Sequence, residues 1–557
     1  MGTKPRTGGE ILVDQLLLHG CERVFGVAGE SFLAVLDAMH GHRDRLQFIA
    51  CRQEGGAAIM ADADAKLTQQ PGLCIVTRGP GATNASAGLH IAHQDSTPVI
   101  LLIGQIDRST AEREAFQEID FRRMYGPLSK WVAQIDAAKR IPEFIARAFS
   151  VATSGRPGPV VLALPEDMLA ETATVADARP YRSARAAPGS DQMNTLSRML
   201  SAAERPLVIV GGGGWDADAV AALRRFAEVA QLPIAASFRR QDYFDNSHKL
   251  FAGVLGLGMN PKLAQRVRES DLLLVVGARM GDIPTAGYTL LEIPSPRQTL
   301  VHVHADPEEL GRVYQADLPI NANPSEMAQA LANLPIEDEG RWSAWAESAN
   351  KDFQAYCVPV NSPGDMQMSQ VVAYLSDQLP SDTIVTNGAG NYSVWIHRFF
   401  RHRQFGTQLA TTAGAMGYGV PAAVAAKIRN PEKTVVAFAG DGCFLMNGQE
   451  FATAVQYGAN IVCIVVNNGM LGTIRMHQER HYPGRVSGTT LTNPDFAAYA
   501  EAFGGYGERV ERTEDFPAAF KRASTCDKPA ILELRLDPEA LTPAQSLSEI
   551  RNSAENT

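Results

Sequence analysis

Short, almost unbroken runs of Val, Ile and Leu recur along the whole chain: GLCIVT (72–77), PVILLIG (98–104), PVVLAL (159–164), PLVIVGG (206–212), DLLLVVG (271–277), TVVAFAG (434–440) and IVCIVVN (461–467). Each has the length of a strand, and amphipathic stretches of helical length lie between them. A strand that is apolar on both faces must be covered on both faces, as in a parallel sheet with crossover helices. The pattern predicts the α/β class with doubly wound parallel sheets. A chain of 557 residues has room for three such domains. Two polar, Pro/Ala-rich passages interrupt the pattern, AETATVADARPYRSARAAPGS near 170–190 and a stretch near 333–363 that begins PIEDEG and ends VPVNSPGD. Read as linkers, they set domains at 1–172, 190–335 and 360–557. The polar C-terminal LTPAQSLSEIRNSAENT reads as a mobile tail.

A net charge of −10 speaks against a dedicated nucleic-acid surface. No apolar run approaches the ~20 residues that span a bilayer, and MGTKPRTGGE lacks the apolar core of a signal peptide. The seven cysteines form no CxxC pair and read as reduced, mostly buried thiols. The expectation is a cytoplasmic protein that acts on small molecules, without nucleic acid or membrane.

The stretch FAGDGCFLMNGQEFATAVQYGANIVCIVVNNGML (438–471) carries the strongest chemical signal. TVVAFAG reads as a strand, GDG as its turn, NGQEFATAVQYG as a helix and IVCIVV as the next strand. A βαβ unit brings both strand ends to one edge of the sheet. Asp441 and the Asn467-Asn468 pair should then face one crevice, although 24 residues separate GDG from NN. Carboxylate, amide oxygen and backbone carbonyl are the hard-oxygen set that suits Mg²⁺, while the glycines and the following helix suit a diphosphate.

With these residues in view, the stretch resembles the thiamine-diphosphate motif of the acetolactate synthase and pyruvate oxidase group. VFGVAGES (24–31), RQEGGAA (52–58), VTRGPGATN (76–84), QDSTPVILLIGQ (94–105), EAFQEID (114–120), RPGPVVLALPED (156–167) and TTAGAMGYG (411–419) follow the same family in order. The resemblance implies pyrimidine-binding, central and diphosphate-binding domains. It places Asp441, Asn468 and the Met470 carbonyl on Mg²⁺, and Gly442 and Cys443 on the diphosphate. NGAGNY (387–392) matches the second diphosphate loop, with Gly388, Asn391 and Tyr392. Asn391 and Tyr392 stand where acetolactate synthases usually have Gln and His. Gly414 and Met416 would hold the folded cofactor. Glu54 matches the glutamate that activates the aminopyrimidine ring, a role the RQEGG sequence alone would not reveal.

Gly29, Phe116, Gln117 and Lys130 match positions at the substrate entrance. GTIRMHQERHYPGR (472–485) should close over the substrate, with His477 where synthases that accept 2-oxobutyrate usually carry Trp. In the middle domain, Gly212 and Gly213 of VIVGGGGW and Arg279 of VVGARMGD are candidates for FAD; MGDIP replaces the usual FDDR, and a domain that has lost its flavin is the equal alternative. The resemblance further implies at least a homodimer, commonly a homotetramer, in which Glu54 of one copy meets the cofactor of another. The leading reading is decarboxylation of a pyruvate-like 2-oxo acid with carboligation to a second carbonyl. Simple decarboxylation, flavin-linked oxidation and a non-catalytic cofactor-binding relative stand as alternatives.

Overall fold

The computed structural model describes residues 4–336, 338 and 340–556. The first three residues of MGTKPRTGGE, Glu337 and Glu339 of the PIEDEG stretch, and Thr557 of the tail lie outside the described residues. The chain packs as two units. One holds the chain up to Ala184 together with 424–429 and 449–456, and the other holds Arg185–Ala423, Asn430–Gly448 and the chain from Tyr457 onward.

The first unit contains a six-stranded parallel sheet, in the order Gln47–Ala50, Arg23–Gly26, Gly72–Val76, Val99–Gln105, Val160–Pro165, Trp131–Gln134. Its central strands are buried along their length, as their apolar runs require. The second unit contains two more six-stranded parallel sheets. One runs Phe251–Val254, Ile234–Ala236, Pro206–Val210, Leu272–Val276, Thr299–His304, Leu318–Asn321. In chain order this is 3-2-1-4-5-6, the doubly wound arrangement. The other runs Gln408–Ala410, Ile384–Asn387, Val435–Gly440, Val462–Asn467, Ala530–Arg535, Tyr506–Val510. All seven apolar runs are strands of these sheets. No described helix is long and apolar enough to cross a membrane.

Two expectations fail. The passage near 333–363 is not simply a linker, because it contains the helix Ser343–Tyr356. Trp342, Ala346, Ala349 and Phe353 form its buried stripe at helical spacing, and Trp345 Nε1 donates to the Pro206 carbonyl at 3.0 Å. Polar residues between these four dilute the apolar signal without breaking its period. By contrast, residues 174–189 contain neither helix nor strand.

The polar C-terminus is not a free tail either, since Leu547–Glu555 is a helix. Ser546 and Glu549 close a capping box at its start, a signal already written in SLSE. Leu547 and Ile550 pack with Leu541, Met476 and Met470, while Arg551 forms two bonds of 2.8 Å to Glu479. Glu479 lies on the helix Gly472–His481 and also pairs with Arg475 and accepts the Gly484 N–H. Arg551, aided by the Gly484 N–H and Arg475, holds the Glu479 carboxyl far below its ordinary range, at about 2.

A depressed folded-state value stabilises the fold above the unfolded carboxylate range, about pH 4–5, and is lost as pH falls towards 2. Glu479→Gln should therefore cost on the order of 3 kcal/mol near neutrality, because it leaves two guanidinium groups facing an amide. The gap should close in acid. Unfolding curves of both proteins across this pH range test the point, and a constant gap would remove the carboxylate from the account.

Candidate functional site

Three loops leave one edge of the third sheet. The strands Ile384–Asn387, Val435–Gly440 and Val462–Asn467 are neighbours, with Asn387 opposite Phe438 and Gly440 opposite Val466. Parallel strands end on one side, so NGAGNY, GDG and NNGM emerge together, as the βαβ reading requires. GDG itself is not a free turn. Asp441 is the first residue of the helix Asp441–Asn447, followed by a 3₁₀ turn Gly448–Glu450 and the helix Phe451–Gln456. The single helix expected over NGQEFATAVQYG is thus broken at Gly448, where helix propensity is poor.

Asp441 is 3% exposed. Its Oδ1 accepts the Gly442 N–H at 2.8 Å, and its Oδ2 accepts the Gly469 N–H at 2.9 Å and Asn493 Nδ2 at 2.8 Å. Burial pushes its pKa up, and the hydrogen bonds from Gly442, Asn493 and Gly469 oppose that shift. A buried carboxylate in this position gains from a neighbouring cation.

The two asparagines divide their work. Asn467 is buried and donates to Glu533 at 2.7 Å on the adjoining strand, so it ties the sheet. Asn468 is only partly buried, and its Oδ1 accepts the Met470 N–H at 3.3 Å. Around Met470, the Gly469 and Thr489 carbonyls accept the Leu491 and Leu471 N–H groups, whereas no hydrogen bond reaches the Met470 carbonyl among the described residues. Gly469 takes the left-handed conformation, φ 70°, that turns the chain between these groups. No group of three His, Cys, Asp or Glu side chains suited to a metal occurs among the described residues. A cation here would draw on one carboxylate, one amide and one carbonyl, and take its remaining oxygens from a bound ligand. That donor set fits a hard divalent ion.

Asn493 belongs to this network and went unnoticed in the sequence. It bridges Asp441 and Asn467, and its own Oδ1 is buried without a partner. Its TNPDF surroundings show only an Asn-Pro turn signal.

The diphosphate-loop candidates also converge. A Cβ on Gly388 would lie 2.7 Å from Cys443 Sγ, and one on Gly442 would lie 2.7 Å from Leu471 and 3.7 Å from Met416 Cε. Gly414 has φ 69° and open space about it. Tyr392 is buried, with its hydroxyl 3.2 Å from Cys443 Sγ, so this phenol is engaged within the protein. Asn391 Oδ1 accepts Thr473 Oγ1 at 2.9 Å, which links the loop to the helix that carries His477. His477 is exposed and stacks on His481; burial of its ring, with Arg480 and His481 nearby, pushes its pKa down.

In the first unit, Glu54 begins the helix Glu54–Thr68. Its Oε2 accepts Asn84 Nδ2 at 2.9 Å, and a Cβ on Gly81 would lie 3.2 Å from its Oε1. The turn before it is pinned by Glu450, a buried carboxylate that accepts the Arg52 N–H at 3.0 Å and the Gln53 N–H at 2.9 Å. Neither Asn84 nor Glu450 was singled out in the sequence.

The turn at Thr77–Gly81 gathers the entrance candidates. Gly29 packs on Thr77, Gln117 lies against Gly79, and Thr77 and Glu54 both lie against Gly81. Gln117 takes φ 67° and leaves the neighbouring Phe116 76% exposed. Glu118 holds this strained loop by accepting the Glu112 and Ala115 N–H groups at 2.7 and 2.9 Å. Lys130 is not drawn into the cluster by any of these contacts; its ammonium donates to the Ser154 carbonyl.

Residues 6–124 match the N-terminal TPP binding domain of thiamine pyrophosphate enzymes, 193–331 the central domain, and 388–534 the C-terminal TPP binding domain. The chain is 31% identical over 556 residues to a probable acetolactate synthase large subunit of Methanocaldococcus jannaschii, covering 96% of this chain and 93% of that protein. It is 31% identical over 536 residues to acetolactate synthase isozyme 2 large subunit of Escherichia coli, covering 95% of each. It is 32% identical over 554 residues to the acetolactate synthase large subunit of Corynebacterium glutamicum, covering 96% of this chain and 87% of that protein.

Proposed function

Because the chain belongs to the thiamine pyrophosphate enzymes allied to acetolactate synthase large subunits, we propose that it decarboxylates a pyruvate-like 2-oxo acid and joins the remaining acyl unit to a second carbonyl. The observation that carries this reading is the buried Asp441 beside Asn468 and the unbonded Met470 carbonyl, at the same sheet edge as the Gly388 loop. In this reading Asp441, Asn468 and Met470 hold Mg²⁺. Gly388, Asn391, Gly442 and Cys443 border the diphosphate, with Tyr392 bracing the loop through Cys443. Gly414 and Met416 would hold the cofactor beside them. Thiamine diphosphate held there would supply a carbon nucleophile for the 2-oxo carbonyl and a cationic ring as sink for the electron pair left by carbon dioxide. Glu54, held by Asn84 and by the turn that Glu450 pins, exchanges a proton with the aminopyrimidine ring. Gly29, Phe116 and Gln117 border the substrate, and Lys130 serves the entrance only if its stem swings away from Ser154.

We take a homodimer as the smallest working assembly, with Glu54 of one copy serving the cofactor of another, and a homotetramer as the larger form. A cytoplasmic location belongs to the same reading. Intact Glu54, Asp441 and Asn468 weigh against a non-catalytic relative, and a flavin oxidase would need the FAD site considered below.

His477 bears on the choice of acceptor and product. An imidazole offers less apolar wall than an indole, and one methylene in such a pocket is worth only ~1–3 kcal/mol. Preference for 2-oxobutyrate over pyruvate should therefore be weak. The same imidazole can protonate the bound acyl unit and release aldehyde. Because its pKa is lowered, its donor form is scarce at neutrality, so the aldehyde fraction should rise as pH falls. Competition of pyruvate with 2-oxobutyrate, with aldehyde trapped and every product identified, tests both points. A strong 2-oxobutyrate preference without aldehyde would sink the His477 assignment. Absence of carbon dioxide release from any 2-oxo acid would sink the function itself.

A further inference from the structure

In an open doubly wound sheet a dinucleotide lies in the crevice beyond the strand ends, where the strand order reverses. In the central domain that point lies between Pro206–Val210 and Leu272–Val276. Gly212 and Gly213 follow the first strand and Arg279 follows the second. Gly212, with Gly277 at the end of the second strand, serves the chain's own packing. A Cβ on Gly212 would overlap the Gly277 carbonyl, and one on Gly277 would lie 2.6 Å from the Gly211 carbonyl, so the two loops meet backbone to backbone. Trp215, fully buried, donates from Nε1 to the Gly211 carbonyl at 2.8 Å. The Gly212 carbonyl accepts both Arg240 Nε at 3.1 Å and Tyr243 Oη at 2.8 Å. The residues present do not fit a flavin at this point.

What reaches past the crevice is the run RRQD (239–242), which follows the neighbouring strand Ile234–Ala236; all four of its residues are buried. Arg240 turns back to the Gly212 and Arg239 carbonyls, while the other three are tied to the diphosphate-loop side of the same unit. Asp242 Oδ2 accepts the N–H groups of Gly406 at 2.9 Å, Thr407 at 3.2 Å and Gln408 at 3.3 Å. Gln241 donates from its backbone to Gln408 Oε1 at 2.8 Å and from Nε2 to the His397 carbonyl at 3.0 Å. Arg239 donates to the Gly388 carbonyl at 2.8 Å, to the Thr411 carbonyl, and to Ser393 Oγ at 3.4 Å. Its backbone is held at φ 60°, a conformation that a non-glycine residue keeps only when its surroundings demand it.

We infer that the chain fills its own nucleotide crevice with RRQD, which clamps the loops Gly388–Tyr392 and Thr411–Met416 from the central domain and leaves no place for FAD. In a trans peptide the carbonyl and the following N–H point apart. Arg239 therefore fixes the Gly388–Ala389 peptide from one side, while Cys443 receives the Ala389 N–H on the other. Arg239 is a positioning residue, because it acts on the cofactor through loop peptides. That half of the inference rests on the proposed function; the flavin half does not.

The experiment uses the full-length enzyme. After purification and incubation with FAD followed by dialysis, the protein should show no bound flavin absorbance, and FAD should not raise its unfolding temperature. Stoichiometric or tightly retained flavin overturns the inference while leaving the thiamine-diphosphate reading intact. Thiamine-diphosphate affinity is then measured by calorimetry, with Mg²⁺ present, for Arg239→Gln and Arg239→Lys. Charged hydrogen bonds of this kind set the expected loss at about tenfold or more for Gln. Partial recovery is expected with Lys, which keeps the charge but not the planar fork. Wild-type affinity in Arg239→Gln overturns the clamp. Should either variant fail to fold, flavin uptake by the wild type still decides whether the crevice is filled.

Discussion

Asp441→Ala is expected to abolish Mg²⁺-dependent retention of thiamine diphosphate, with affinity falling by at least ~10²-fold, since loss of even a supporting outer contact costs a metal site 10–100-fold. The geometry gives the reason. Asp441 is the one carboxylate in the proposed donor set, and a diphosphate needs a cation between itself and that carboxylate. Alanine also takes one acceptor from Asn493 Nδ2 and from the Gly469 N–H, leaving both to Asn467 Oδ1, so some stability will be lost with the metal. Asp441→Asn separates the two effects, because the amide keeps the volume and one acceptor but not the charge. Both variants should lose the metal-dependent part of the binding heat in calorimetry. Wild-type affinity in either one would refute the placement of the cation.

Glu54→Gln should leave thiamine-diphosphate binding intact and slow deuterium exchange at the thiazolium carbon by at least ~10²-fold, the scale of a positioned proton-transfer group. The substitution is mild in shape. A glutamine oxygen can still accept Asn84 Nδ2, and the turn before residue 54 remains held by Glu450. What is lost is the proton that the carboxyl can give and take. Exchange at the wild-type rate would remove Glu54 from this role. Slow exchange combined with weak binding would point instead to a disturbed pocket.

The sequence by itself determined the architecture, because burial on both faces leaves a direct mark on composition. Each Val/Ile/Leu run had to be an inner parallel strand, and each became one. It also determined that Asp441 and the asparagine pair share a sheet edge, since a right-handed βαβ unit allows little else. Local signals that were present but diluted, such as the Trp342–Phe353 stripe and the SLSE capping box, became decisive only once packing partners were known.

Tertiary structure alone decided which groups support the site. Asn493 lies 52 residues from Asp441, Glu450 lies 398 from Arg52, and Arg239 lies 149 from Gly388. A buried polar side chain is placed by whichever backbone or carboxyl group the fold brings within about 3 Å, and such partners leave no periodicity in the chain. The same holds for the central glycines. VIVGGGGW reads equally well as a nucleotide loop or as tight packing, and only the approach of Gly277 to Gly212, with Arg240 and Tyr243 on the Gly212 carbonyl, distinguishes them. Glycine in a sequence states that something must come close; which atoms do so is settled by the fold.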